Sequence, residues 1–98
     1  MSAPGSGRWT GFYIQDGCKT TIDINLKFNQ DFTVKGEGWN PEYTVTGTWQ
    51  ECASVDFTQN FGKTCTYFTG TEMRGKITGK LGFQPNCLYH DYELNFCD

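Results

Sequence analysis

The stretch Thr21-Ile22-Asp23-Ile24-Asn25-Leu26-Lys27-Phe28 (TIDINLKF) alternates polar and apolar residues without a break. Successive side chains of an extended chain point to opposite faces. Ile22, Ile24, Leu26 and Phe28 therefore share one face, and Thr21, Asp23, Asn25 and Lys27 the other. That is a strand with one face in a core and one in water. A helix would need apolar residues three and four apart, and no segment of this chain sustains that period.

The same alternation spreads outward from this stretch. EYTVTGTWQ (42–50) puts Tyr43, Val45, Gly47 and Trp49 on one face, with Thr44, Thr46 and Thr48 opposite. VDFTQNF supplies Val55, Phe57 and Phe61, and KITGKLGF supplies Ile77, Gly79, Leu81 and Phe83. CLYHDYELNF gives Leu88, His90, Tyr92, Leu94 and Phe96. GRWTGFYIQDG (7–17) divides in two: Trp9 and Tyr13 face inward around Gly11, while Phe12 and Ile14 face outward. Eight strands are expected, over 8–15, 20–29, 31–38, 42–50, 54–60, 64–72, 75–83 and 88–97. The breaks carry turn residues: QDG, NQD, WNPE, NFGK, EMRG and QPN.

Short strands at even spacing make an antiparallel meander. It can fold as two stacked sheets or close on itself, and closure removes both exposed edges. The glycines within the strand patterns favour closure, because they permit the coiling that a small barrel needs. The fold class read from the sequence is therefore all-β, an up-and-down β-barrel over residues 8–98, preceded by a flexible lead of small residues over 1–7.

The totals narrow the function classes. Ninety-eight residues make one domain, and 16% of them are aromatic, so the core must be built from a few large side chains. The net charge is −3 and there is no Lys/Arg run, which argues against nucleic acid and against an anionic membrane surface as partners. No apolar stretch approaches the roughly 20 residues that span a bilayer as a helix. MSAPGSGR has no apolar segment, so neither a signal peptide nor a membrane anchor is expected. Five cysteines are an odd number, and no glycosylation sequon occurs, so free thiols in the cytoplasm are expected. A mature secreted chain whose signal has been removed is the alternative.

Gly7-Arg8-Trp9, followed by WTGFYIQDG, a polar strand, a Gly-rich hairpin and YTVTGTW, resembles the Gly-X-Trp opening and first half of lipocalins and avidins. The resemblance implies a calycin-type barrel in which Trp9 packs across one end as a plug. The chain is shorter than typical members of those families. Its last strand lacks the arginine that lipocalins stack over the opening Trp, and no biotin-site pattern is present. Fold analogy does not carry function with it.

On an up-and-down barrel whose first strand runs from bottom to top, Cys18, Trp39, Cys65 and Cys87 fall at the top, with His90 just below. Cys52 and Cys97 fall at the bottom. The first and last strands become neighbours, so Cys18 and Cys87 are the pair expected to bridge if oxidised. No Cys-X2–4-Cys spacing exists, so no metal site is expected. His90 shares the inward face and reads as a core residue; Asp91 faces the other way and cannot orient it as a base. The carboxylates are scattered, and Gly36-Glu37-Gly38 has no following helix, so it is not a phosphate loop. No cofactor and no catalysis are expected.

The first functional reading is a non-enzymatic protein-interaction or scaffold module that docks a protein partner through Phe12, Ile14 and Tyr89, with Phe68 joining them if it too points outward. The alternative is a carrier of a small apolar ligand in an aromatic cup formed by Trp9, Tyr13, Tyr43 and Trp49, with Trp39 as a lid at the rim. A secreted enzyme inhibitor that inserts loops into a cleft is the second alternative.

Overall fold

Asp16–Gly17 and Arg74–Gly75 both take positive φ, at 53° and 79° and at 53° and 81°. This is the type I′ geometry, whose twist matches that of the strands it joins. The two turns connect Gln15 directly to its partner Cys18, and Met73 to Lys76. In a computed structural model, which describes residues 3–97, such turns string eight strands into a meander. The strands are β1 (Gly7–Gln15), β2 (Cys18–Phe28), β3 (Thr33–Gly38), β4 (Tyr43–Trp49), β5 (Ser54–Asn60), β6 (Cys65–Met73), β7 (Lys76–Gly82) and β8 (His90–Phe96). Each pairs antiparallel with the next, and β1 pairs with β8 from Trp9↔Phe96 to Tyr13↔Tyr92, so the sheet closes into a barrel. The described residues contain no helix.

The expected strand limits lie within two residues of those observed, and three starts differ for local reasons. The tight Asp16–Gly17 turn lets pairing begin at Cys18. Before β3 the Asp31 carboxylate accepts hydrogen bonds from the Thr33 amide at 3.1 Å and the Thr33 hydroxyl at 2.6 Å, which holds the chain in a turn until Thr33. Before β8 the chain doubles back through a Gln84↔Cys87 bridge, with Asn86 at φ 64°, so the strand starts only at His90.

The alternating face found in the sequence is the one that is buried. Ile24, Leu26, Val34, Val45, Val55, Ile77, Leu81 and Leu94 fill the middle of the barrel and are at most 2% exposed. Phe57 and Phe68 stack at 4.6 Å, and Tyr92 meets Phe68 edge-on at 5.1 Å. Phe68 therefore points inward and does not join any outer patch. The β1–β8 seam is close enough to require glycine: a Cβ on Gly11 would sit 1.8 Å from the Glu93 carbonyl oxygen.

The bottom is sealed. Trp9 is fully buried, with Phe96 at 5.2 Å and Phe28 at 6.1 Å. Its indole N–H donates to the Gly5 carbonyl at 3.0 Å, and the Phe28 amide donates to Ser6 Oγ at 3.0 Å. Ala3 packs against the same cluster. Residues 3–6 of the expected lead thus lie along the barrel end; Met1 and Ser2 of that lead, and Asp98 at the end of the expected domain, lie outside the described residues.

Candidate ligand-binding site

The top of the barrel is built from the same alternation, but among the described residues no segment crosses it. A cavity of about 640 Å³ opens there; its upper part is lined by the top ends of the strands and the turns after β3 and β5, and it extends down the outer face of β1 and β2 to Arg8, Asp23 and Asn25. One wall is aromatic through Tyr13 and Phe83, whose rings meet at 5.9 Å. His90 packs against both, at 6.2 Å from Tyr13 and 5.5 Å from Phe83. The opposite wall is Tyr43 against Phe61, at 5.9 Å. Phe68 and Leu81 lie among the lining groups, and Trp39, 70% exposed, stands at the rim.

The wall beside this cavity is also open. β2 and β3 pair only at Lys27↔Lys35 and Phe28↔Val34, although β2 runs on for another nine residues toward Cys18. Where the ladder stops, side chains take over. Tyr43 lies across Gly38, its cross-strand partner, and its hydroxyl accepts a hydrogen bond from the Asn25 amide at 3.0 Å. Asn25 Nδ2 donates to the Glu37 carbonyl at 3.2 Å. The ring fits only because residue 38 is glycine: a Cβ there would approach it to 2.3 Å. Tyr43 thus substitutes for a missing backbone bond and shapes the cavity at the same time.

Two charged residues line the cavity, Arg8 and Asp23, and they neutralise each other on the outer face. Arg8 Nε lies 3.0 Å from Asp23 Oδ1 and Nη2 lies 2.6 Å from Oδ2, a forked contact. The Arg8 hydrogen bond holds the Asp23 carboxyl below the usual carboxylate range, against a smaller opposing effect of desolvation. The same bond raises Arg8.

Of the five residues expected to form the cup, Tyr13, Trp39 and Tyr43 come together here. Trp9 and Trp49 do not. They share the inward face but sit at the bottom: Trp9 is four residues below Tyr13 and Trp49 six below Tyr43. At about 3.3 Å per residue these gaps are roughly 13 and 20 Å. Trp49 packs on Phe32 at 4.8 Å and donates its indole N–H to the Asn29 carbonyl at 2.8 Å. Alternation identifies the face of a residue and says nothing of its height. The sequence reading also passed over Gln59, which shares the parity of Phe57 and Phe61, is buried and lines the cavity.

On the outside, Phe12 and Ile14 are half-buried, and the Lys19 ammonium lies 4.4 Å over the Phe12 ring. Tyr89 is 76% exposed. All five cysteines stand as free thiols, Cys18 and Cys52 exposed and Cys65, Cys87 and Cys97 half-buried. At the bottom, the exposed Cys52 thiol lies 3.3 Å from the Ser54 hydroxyl, a contact that lowers its pKa. Among the described residues no group of three or more His, Cys, Asp or Glu side chains could hold a metal ion. The chain matches no protein-family model, no curated protein and no solved structure.

Proposed function

We propose that this chain is a non-enzymatic binding barrel that takes a small, largely apolar ligand into the cup at its top. The observation that carries the reading is the open cavity of about 640 Å³, a volume within the range of small-molecule sites, whose upper part lies between two aromatic walls. Such sites combine apolar and aromatic walls with placed polar groups; the inward-facing part of this cup has Tyr13, Tyr43, Phe61 and Phe83 beside Gln59 and Thr66, while the remaining lining is more polar. Trp9 and Trp49 are buried at the far end, so Trp39 alone among the tryptophans reports on the cup. Titration with a panel of planar apolar compounds should quench or shift the Trp39 emission, and Trp39→Phe should remove that response. A flat titration across the panel would sink the reading.

A protein partner docked on the β1–β8 face is the second reading, favoured by Tyr89 standing 76% exposed. It has less support, because Phe12 and Ile14 are half-buried and Lys19 covers the Phe12 ring. A Phe12→Ser, Tyr89→Ser chain that folds normally but no longer captures a partner held by the unaltered chain would favour docking over the carrier.

A further inference from the structure

We infer that the cup selects a neutral, planar heteroaromatic ligand with a hydrogen-bond donor and acceptor side by side on one edge, and that Gln59 reads that edge. The inference rests on the cup being a ligand site. Gln59 is 7% exposed and is the polar residue of an otherwise apolar buried set. It stands on β5 between Val45 and Thr66 of the neighbouring strands, and it lines the cavity. Its amide is not among the fully buried atoms left without a partner, a group that among the described residues holds only Tyr92 Oη, so the amide is reached from the cavity rather than sealed in the core. The inward positions before and after it are Val55, Phe57 and Phe61. A leucine would fill the same space without burying a polar group.

A carboxamide offers a carbonyl acceptor and two N–H donors in one plane, and a ligand that displaces water from them without replacing those hydrogen bonds loses affinity. One ligand edge satisfies both ends at once: an N–H beside a carbonyl or a ring nitrogen, as in a lactam or a nucleobase. Glutamine reads an adenine edge by the same complementarity. The facing walls of Tyr13 with Phe83 and Tyr43 with Phe61 suit a flat ring system. Among the described residues the inward-facing lining groups carry no charge; Arg8 and Asp23 lie on the outer face and are engaged with each other, so the cup offers no cation to a phosphate or carboxylate. The ligand is therefore neutral.

Three matched probes test this on the full chain by calorimetry: 2-quinolone, which has the lactam edge; 1-methyl-2-quinolone, in which the donor is blocked; and naphthalene, which has no edge. The unaltered chain should bind 2-quinolone at least tenfold more tightly than the other two. Gln59→Met keeps the length of the side chain and should level the three affinities while circular dichroism stays unchanged. If the unaltered chain binds all three equally, the amide is satisfied by water and the inference falls while the cup reading stands. If 2-quinolone keeps its advantage in Gln59→Met, the edge is read elsewhere and the role of Gln59 is overturned. If none of the three binds, the inference falls, and a response of Trp39 to the wider apolar panel decides separately whether the cup reading survives. Should Gln59→Met fail to fold, Gln59→Leu takes its place: loss of the 2-quinolone advantage supports the inference, and its persistence overturns it.

Discussion

The two ends of the barrel are made of the same materials and finished differently. At the bottom, Trp9 is wedged against Phe28 and Phe96, and residues 3–6 lie along the opening, with Gly5 accepting the indole hydrogen bond. At the top, Tyr13, Tyr43, Phe61 and Phe83 stand around a void, and Trp39 sits at the rim in water. Aromatic content is similar at both ends; what differs is whether a chain segment crosses over it. A tryptophan with backbone on top of it is core, and one on a bare hairpin is available to a ligand.

The largest effect that should separate the ends comes from truncating one tryptophan at each. Trp9→Ala removes a fully buried side chain and should cost about 3–5 kcal/mol, a large part of the stability of a domain of this size. Trp39→Ala removes an exposed one and should change stability by no more than about 0.5 kcal/mol. Urea denaturation of the two variants measures both. Comparable losses would mean that Trp39 is part of the fold and that the top is closed.

A second, smaller effect concerns the open wall. Tyr43→Phe leaves the ring across Gly38 but removes the acceptor for the Asn25 amide. The loss should be about 1 kcal/mol. Hydrogen exchange gives the sharper readout, because the Asn25 amide should exchange faster while the Trp9 amide, in the sealed end, keeps its rate. Unchanged exchange at Asn25 would show that the strands are held there without Tyr43.

These contrasts also mark how much was legible in the sequence. TIDINLKF and its repeats gave strand identity, inward face and meander order, because strand parity is a property of neighbouring residues. The Asp16–Gly17 turn was visible as a break, but the register it sets, Gln15 against Cys18, depends on positive φ at both turn residues. Trp9 was read as a plug by resemblance, and it lies sealed at the bottom. The cup was half legible: Tyr13, Trp39 and Tyr43 were named, while Trp9 and Trp49 were placed with them because height was not counted along the strands. Gln59 was missed for a related reason. A polar residue at an inward parity reads as noise in an alternating pattern, yet here it lines the cavity. The early end of the β2–β3 ladder had no signal within any single strand, since it follows from how Tyr43, Gly38 and Asn25 meet in space.

The smallest expected effect lies on the outer face, where Arg8 and Asp23 meet beside the open wall. The Asp23 carboxyl is held below its ordinary range, first by the Arg8 hydrogen bond. A carboxyl whose folded pKa lies below its unfolded value stabilises the fold above the unfolded pKa, and that contribution is lost as pH falls through the folded one. The unaltered chain should therefore be more stable than Asp23→Asn at pH 7. The two melting curves should converge by roughly pH 2, below the carboxylate range. Both side chains are more than half exposed, at 61% for Arg8 and 57% for Asp23, so solvent screens the pair and the difference should be only about one or two degrees in Tm. Asp31, which is also lowered, by its bonds to Thr33, titrates in both proteins and cancels from the difference. Added salt should shrink the gap at pH 7. A gap that persisted at low pH, or widened in salt, would mean that Asp23 acts through packing in the β1–β2 wall rather than through its charge.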